Sequence, residues 1–249
     1  MIRYKLVIEY DGRFFAGWQR QEESVPSVQA AVENAVLAFS GEKVVVEGAG
    51  RTDSGVHALG QIGHVDLSVA HPPYRIANAL NFYLRDSGVA ILDVQVVDAT
   101  FHARFSATAR QYEYHIINRR SSLTVDAGRA WQVIPVLNVE LMQEAAQLLV
   151  GHHDFNSFRS SACQATSSLR TLDVFTIRRQ GERIIATVKS RSFLHNQVRI
   201  MMGSLKLIGA GKWTADDLVR VLDACDRTKS GPTAPACGLY LTGVEYNKP

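Results

Sequence analysis

The chain of 249 residues predicts an α+β fold, and two observations lead to that prediction. Segments in which apolar and polar residues alternate, as in half-buried strands, recur along the chain. Between them lie segments with apolar residues every three or four positions, the spacing of a helix that buries one face. The order of these elements is loosely repeated, so we expect two related halves, residues 1–105 and 106–249, with their sheets joined.

The first half begins with a strand over residues 3–10, in which Tyr4, Leu6, Ile8 and Tyr10 share one face. Ser27 is then placed to cap a helix from Val28 to Phe39, which ends at Gly41. The remaining predicted elements of this half are strands over 43–49, 61–67 and 89–97 and a helix from Pro72 to about Leu84.

The second half starts with a strand over 110–118, in which Tyr112 and Tyr114 lie on one face. A helix predicted over 193–208 carries His195 and Arg199 one turn apart, so we expect both on the same helix face. The other predicted elements are a helix over 139–150, a hairpin of 172–179 with 183–191, a helix capped by Thr214, and a strand over 238–246.

Composition narrows the class of protein. Hydrophobic residues make up 46% and charged residues 20%, which is ordinary for a globular chain. No apolar run reaches the length of a membrane span, and the first residues are typical of a strand rather than a signal peptide. Three widely spaced cysteines, Cys163, Cys225 and Cys237, form no CxxC pair and indicate neither a disulfide framework nor a zinc site. We therefore expect a reducing compartment, the cytoplasm.

Basic residues are concentrated in two stretches, although the net charge is only +3. Residues 178–206 contain seven arginines and lysines and one acid, Glu182, and residues 102–120 contain four arginines and one acid, Glu113. Such stretches favour a polyanionic partner. The preference for arginine over lysine also fits a bias in codon usage, which stays an alternative.

The stretch GAGRTDSGVHALGQ, residues 48–61, places Asp53 on a glycine-flanked turn between two predicted strands. A carboxylate held there by a rigid scaffold is a candidate functional group. The alternative is an Asx-turn, in which Asp53 only accepts a hydrogen bond from its own backbone. Walker and HExxH patterns are absent from the sequence, so the common phosphoryl-transfer and metalloprotease chemistries lack their motifs.

Three further motifs have both a functional and a structural interpretation. Tyr112 has the chemistry to stack on a base, but a core aromatic has the same pattern. The stretch 98–110 interleaves aromatic and basic residues, which suits RNA binding. A loop that packs two phenylalanines into the core would have the same sequence pattern. His152 and His153 are adjacent and point to different sides in regular structure, so we expect no metal site there.

Six motifs, in order, resemble the tRNA pseudouridine synthase A family over essentially the whole chain. They are EYDG…F.GWQRQ, GAGRTDSGVHA.GQ, FHARFSATARQYEY, DF.SFR, F.HNQVR..MGSL and TAPA.GLYL..V.Y. The resemblance implies the pseudouridine synthase fold: two ferredoxin-like-derived halves with joined antiparallel sheets, helices packed outside and an active-site cleft between the halves. It also implies an isomerase acting on uridines 38, 39 and 40 of the tRNA anticodon stem-loop, a homodimer, and neither a metal nor a small-molecule cofactor.

The resemblance also assigns roles to residues of this chain. Asp53 matches the catalytic aspartate, and Tyr112 matches the tyrosine that contacts the target uridine. Arg51 belongs to the same motif as Asp53, and Arg199 matches the arginine expected to pair with the carboxylate and hold it ionised. Leu239, followed by Tyr240, lies in the closing motif near the site. His57 is interpreted as structural, and the chain departs from the family pattern at 194–196, around His195.

Two other classes compete with this interpretation. The first is a non-catalytic RNA-binding protein on the same scaffold, against which the intact Asp53, Arg51 and Tyr112 argue. The second is a metal-dependent hydrolase that uses Asp53, His57 and His64, whose spacing in the sequence matches no common set of metal ligands.

Overall fold

The computed structural model describes residues 1–22 and 24–247. This part of the chain is mixed α+β, as predicted, with ten strands and five α-helices. In chain order these are β1 (Ile2–Tyr10), α1 (Val28–Ser40), β2 (Glu47–Gly48), β3 (His57–Leu67), α2 (Pro73–Tyr83), β4 (Val89–Val97), β5 (Ala107–Asn118), β6 (Trp131–Val133), α3 (Val139–Gln147), β7 (Gly151–Asp154), β8 (Leu169–Gln180), β9 (Arg183–Ser190), α4 (Gln197–Gly209), α5 (Ala215–Ala224) and β10 (Leu239–Tyr246).

The chain divides into two compact units. The first consists of residues 1–110 together with the stretch that begins at Tyr240, and the second is Gln111–Leu239. The predicted halves were 1–105 and 106–249, so the structure differs mainly in assigning the final strand to the first unit. The last two residues of the predicted second half, 248 and 249, lie outside the described part of the chain.

In the first unit the strands are ordered β4–β1–β3–β10, and β2 pairs with β3. β1 runs antiparallel to both β3 and β4, whereas β10 pairs parallel with β3, where Tyr240 lies opposite His57. The predicted inward face of β1 is confirmed, because its alternate residues Tyr4, Leu6, Ile8 and Tyr10 are all buried. Helix α2 packs against α1 and β4.

Helix α1 follows its sequence signals closely. The Ser27 side chain accepts a hydrogen bond from the Ala30 amide, and Gly41 ends the helix in the left-handed conformation at φ 74°. Glycine is favoured there because it has no Cβ to strain that conformation. The prediction from Val28 to Phe39 is therefore confirmed, with one further residue, Ser40.

In the second unit the strand order is β5–β9–β8–β7, with β6 parallel to β5. The predicted hairpin is confirmed as β8 and β9, which pair antiparallel across a tip at Gly181. Helix α3 packs on β8 and on α4, and α5 begins at a capping box formed by Thr214 and Asp217. The sheets that the resemblance implies as antiparallel thus also contain a parallel pair in each unit, β3 with β10 and β5 with β6.

One strand prediction also needs correction, and two short strands were not predicted. The predicted strand over 43–49 is reduced to Glu47–Gly48, because the Val46 amide donates to the buried Glu33 carboxylate, 3.0 Å away, instead of to a neighbouring strand. The strands β6 and β7 were not predicted, since three or four residues are too few for alternation to be visible.

Helix α4 begins at Gln197, four residues later than predicted. Asn196 has the left-handed conformation at φ 62°, which interrupts a helix. Two hydrogen bonds between Leu194 and Gln197 close the turn that contains Asn196. The Gln197 amide donates to Leu194 O, and the Leu194 amide donates to Gln197 Oε1. His195 thus precedes the helix, and the expectation that His195 and Arg199 share a helix face was wrong. No helix within residues 1–22 and 24–247 is long and apolar enough to cross a membrane.

Candidate active site

Asp53 lies on a tight turn immediately before β3, as the sequence predicts. The Val56 amide donates to Asp53 O at 3.1 Å, and Gly55 has φ 78°. Glycine adopts a positive φ more readily than any other residue, which accounts for the residue type at this position. Asp53 itself is partly exposed.

The segment around Trp18 fixes the position of this turn from one side. Gly17 and Asp53 form an isolated antiparallel bridge, and the Trp18 amide donates to Thr52 O at 3.1 Å. Gly17 has φ 114°, and a Cβ at this residue would lie 2.6 Å from Thr52 O. The close approach of the two backbones therefore requires glycine at position 17.

A buried hydrogen bond at Thr52 also fixes the position of the turn. The Thr52 hydroxyl lies 2.7 Å from the Tyr10 hydroxyl, and the Thr52 side chain is only 8% exposed. Arg51, in contrast, is exposed and Asp53 is partly exposed. A buried anchor thus separates two charged side chains that remain accessible, which accounts for the residue order Arg-Thr-Asp.

His57 has a structural role, in agreement with its interpretation from the sequence. Its ring is buried and stacks on Tyr240, with centroids 4.6 Å apart. Its Nδ1 accepts a hydrogen bond from the Gly12 amide, at a distance of 3.1 Å. An Asp11 oxygen also lies 3.3 Å from Nδ1. Because a backbone N–H can only donate, Nδ1 is the unprotonated nitrogen and Asp11 is held by Arg13 instead.

The charge on Asp11 is stabilised locally. Burial alone raises the pKa of its carboxyl group, but side-chain and backbone hydrogen bonds from Arg13 outweigh this effect and lower the pKa to about 2. Asp11 therefore stays ionised throughout the physiological range, in the loop that contacts the His57 ring.

Tyr112 and Tyr114 share the buried face of β5, as predicted. Tyr114 is fully buried and its hydroxyl donates to Pro235 O at 2.8 Å, so it is a core residue. Burial raises the pKa of the Tyr114 hydroxyl. Tyr112 is 9% exposed and packs edge-to-face on Phe193, with centroids 5.2 Å apart. Its ring is thus oriented by Phe193 at the margin of the core.

Arg199, on α4, anchors a loop by hydrogen bonds to its backbone. Its Nε donates to Ala234 O at 2.8 Å, and the Ala234 amide donates back to Arg199 O at 3.0 Å. Its Nη1 also donates to Asn196 Oδ1 at 2.7 Å. These bonds fix the start of the closing motif TAPA.GLYL..V.Y, of which Ala234 is the second residue.

The rest of the closing motif follows Ala234. A Cβ at Gly238 would lie 2.7 Å from the Tyr114 ring, so glycine is required where the chain passes that ring. Leu239 is 6% exposed and begins β10, and Tyr240 then stacks on His57. Arg51 and Asp53 belong to the first unit, and Tyr112, Arg199 and Leu239 to the second. That all five form one site stays a prediction.

The basic stretches contain two kinds of arginine. Some stabilise the fold: Arg183 pairs with Asp126 at 2.6 Å, Arg119 pairs with Glu182 at 3.1 Å, and Arg179 donates to Leu137 O. Others, Arg120 and Arg178, are exposed on the surface. The sequence could not separate the two kinds, because their partners are distant along the chain.

The histidines that were weighed as metal ligands, His152 and His153 without expectation of a site and His64 in the hydrolase alternative, have other partners. His152 contacts Thr171 Oγ1, His153 contacts Val150 O, and His64 Nδ1 accepts the Ala103 amide. Burial lowers the pKa of His64, which favours its neutral form. In the part of the chain that the structure describes, no group of three or more His, Cys, Asp or Glu side chains is arranged to hold a metal ion.

Known proteins are similar to this chain over nearly its whole length. Residues 6–106 and 145–247 match the family model described as tRNA pseudouridine synthase. The chain is 52% identical over 247 residues to tRNA pseudouridine synthase A of Paramagnetospirillum magneticum, which covers 99% of this chain and 96% of that relative. The proteins of the same name from Rhizobium leguminosarum and Maricaulis maris are 54% and 51% identical, over 99% and 100% of this chain and 92% and 100% of the relatives.

These matches define the class of the protein as an RNA-modifying isomerase. The chain belongs to the tRNA pseudouridine synthase family, and its reaction is the formation of pseudouridine in tRNA.

Proposed function

We propose that the protein converts uridines 38, 39 and 40 of the tRNA anticodon stem-loop to pseudouridine, with Asp53 as the catalytic carboxylate. The observation that supports this most strongly is the turn of residues 51–55, on which an accessible carboxylate is held by Gly17, Trp18 and Tyr10. Such rigidity is what a catalytic group needs to meet a reacting atom in a fixed geometry.

The reaction breaks the C1′–N1 bond of the nucleoside, turns the uracil ring and joins C5 to C1′, after which the proton on C5 is lost and N1 gains one. Substrate and product are isomers, so the balance requires neither an oxidant nor a group donor. A carboxylate can attack C1′, attack C6, or remove a proton from the sugar as positive charge develops on it. All three first steps are open to Asp53.

The target uridine has to leave its stack to reach Asp53, at a cost of a few kcal/mol that contacts in the pocket offset. In this proposal Tyr112 holds the extruded base, Leu239 lies beside it, and Arg51 contacts the nucleotide or its backbone. Arg199 pairs with the Asp53 carboxylate. The fold would then be that of the family, with two ferredoxin-like-derived halves, joined sheets and the site in the cleft between them.

The proposal includes a cytoplasmic homodimer that uses no cofactor. A location in the cytoplasm is consistent with the tRNA substrate and with the three unpaired cysteines, Cys163, Cys225 and Cys237. Gel filtration with light scattering tests the dimer. Full activity after incubation with EDTA and desalting tests the absence of a metal.

Transcripts with a single candidate uridine test the positions. Three tRNAs labelled with tritium at C5 of uridine would each keep one uridine among positions 38–40, with cytidine at the other two. We expect tritium release from all three and none from a tRNA with cytidine at every one of the positions. Binding without release would instead support the non-catalytic RNA-binding protein.

Substitutions at Tyr112 separate stacking from hydrogen bonding. Tyr112→Phe keeps the ring and its packing on Phe193, so we expect a smaller loss of kcat/KM than in Tyr112→Ala. Tyr112→Ala also leaves a cavity that costs about 3–5 kcal/mol, so thermal unfolding has to be measured beside the kinetics. Equal losses in the two variants at equal folded fraction would argue against a stacking role.

Salt dependence distinguishes the two kinds of arginine. Arg178→Ala should flatten the plot of log affinity for tRNA against log salt concentration by about one unit of slope, as expected for one lost phosphate contact. Arg183→Ala is the matched control, since its guanidinium already pairs with Asp126. An unchanged slope in Arg178→Ala, or equal changes in both variants, would contradict the assignment.

A further inference from the structure

The loop of residues 101–106 contains two phenylalanines with opposite environments. Phe101 packs on Tyr246, with centroids 4.9 Å apart, beside the buried cluster of Ala49, Ile62 and Ala103. Phe105, in contrast, is 72% exposed. One of the two motif aromatics therefore stabilises the core, and the other has no role in it.

The backbone that carries Phe105 is held in place by its own loop. The His102 Nδ1 accepts the amides of Arg104 and Phe105 at 3.1 and 3.4 Å, and its ring lies 4.4 Å from the Phe105 ring. Ser106 closes the loop, since its amide donates to His102 O and its hydroxyl accepts the His102 amide, both at 2.9 Å. The backbone from which the exposed ring projects is thus fixed by hydrogen bonds within the loop.

Ala103 fixes this loop on the sheet of the first unit. Its side chain is fully buried, its amide donates to His64 Nδ1 at 3.3 Å, and its carbonyl accepts the Tyr246 hydroxyl at 2.7 Å. The loop therefore has a fixed position relative to β3, the strand that begins just after the Asp53 turn.

Arg110 connects the loop to the segment that enters that turn. One of its nitrogens, Nη2, donates to Arg104 O and to Ala49 O, each at 2.7 Å. Ala49 is followed directly by Gly50 and Arg51. A single guanidinium thus joins the backbone beside Phe105 to the backbone that leads to the candidate catalytic residue.

The chemistry of the exposed pair suits a nucleotide. The Arg104 guanidinium lies over the Phe105 ring, 5.6 Å from its centroid, which leaves an aromatic surface next to a positive charge. Proteins bind unpaired nucleotides with this combination, in which the ring stacks on the base and the cation meets the phosphate.

We propose that Phe105, with Arg104 stacked on it, is a platform for an unpaired base of the tRNA next to the uridine delivered to Asp53. This inference rests on the proposed function, since it uses the tRNA substrate and the Asp53 site. It assigns Phe105 a positioning role in substrate binding and no role in the chemical step.

Phe82 offers a matched control. It is 61% exposed, and the Arg85 guanidinium lies 5.2 Å from its ring centroid, so exposure and stacked arginine are both similar. It lies on α2, which packs on α1 and β4. Phe82→Ala therefore removes an equivalent ring from another place on the same unit.

The test compares tRNA affinity in Phe105→Ala, Phe105→Leu, Phe105→Trp and Phe82→Ala at one salt concentration. Loss of one stacked base should weaken tRNA binding about fivefold or more in the alanine and leucine variants. Tryptophan keeps the stacking surface and should stay within about twofold of wild type, as should Phe82→Ala. Equal affinities of Phe105→Ala and Phe82→Ala would overturn the proposal.

A spectroscopic readout separates stacking from a structural effect. Anticodon stem-loops with 2-aminopurine at single loop positions should be quenched at one position by wild type and by Asp53→Asn, and not by Phe105→Ala. Quenching that persists in Phe105→Ala would contradict the platform. A change of oligomeric state in Phe105→Ala would also contradict it, because Phe105 would then be a contact between copies of this chain.

The two proposals fail in different ways. If wild type binds tRNA but releases no tritium, the proposed function fails while the stacking measurements still stand. If wild type is active and Phe105→Ala binds tRNA as tightly as wild type, only the platform fails.

Discussion

Asp53→Asn is expected to reduce pseudouridine formation by at least about 10⁴-fold and to leave tRNA affinity within about twofold of wild type. Removal of a nucleophile or base from an enzyme typically has an effect of this size on kcat. Asparagine has the size of aspartate and preserves the turn, but it neither forms an ester nor takes up a proton. Tritium release with enzyme in excess, together with a binding titration, measures both quantities.

Asp86→Asn is the matched control for this variant. Asp86 is an exposed turn residue of the same unit with φ 61°, a conformation that asparagine adopts readily. We expect wild-type rates from it. Turnover by Asp53→Asn at a rate near that of Asp86→Asn would show that the carboxylate of residue 53 is not catalytic.

Gly17→Ala is expected to lower the single-turnover rate about 100-fold with the fold retained. Its φ of 114° is unfavourable for alanine by about 1–3 kcal/mol, and the new Cβ would meet Thr52 O at 2.6 Å. The Asp53 turn has to move to relieve that contact, and a shift of about 1 Å in a reacting group has an effect of this order. The rate and the thermal unfolding midpoint should be measured together.

Gly41→Ala separates backbone strain from displacement of the turn. Gly41 also has a positive φ, 74°, but a Cβ there would meet nothing within 4 Å. We expect a loss of about 1 kcal/mol in stability and an unchanged rate. If the loss of activity in both alanine variants is explained by their loss of stability, the claim that a Cβ at residue 17 displaces the Asp53 turn is contradicted.

Elements with signals inside one short segment were predictable from the sequence. Helix α1 has its cap at Ser27 and its stop at Gly41, and β1 shows its alternation without interruption. The glycines around Asp53 likewise identified the turn. Each of these features is determined by residues close to one another in the sequence, so it could be predicted from the sequence alone.

Elements that depend on distant partners were not predictable. The Val46 amide is taken by Glu33, and that contact shortens a strand whose own pattern was convincing. The parts that hold the site are of the same kind: the hydrogen bond of Tyr10 to Thr52 joins residues 42 positions apart, and that of Arg110 to Ala49 spans 61 positions. Only the folded chain brings such pairs together.

Pseudouridine mapping in cells tests the central claim, that Asp53 of this chain modifies the anticodon stem-loop, most directly. A strain that lacks the gene would carry either the wild-type or the Asp53→Asn gene, at equal protein levels, and its tRNA would be sequenced for pseudouridine. We predict that wild type restores pseudouridine at positions 38, 39 and 40 and that Asp53→Asn restores none. Restoration by Asp53→Asn, or modification by wild type only at other positions, would contradict the account.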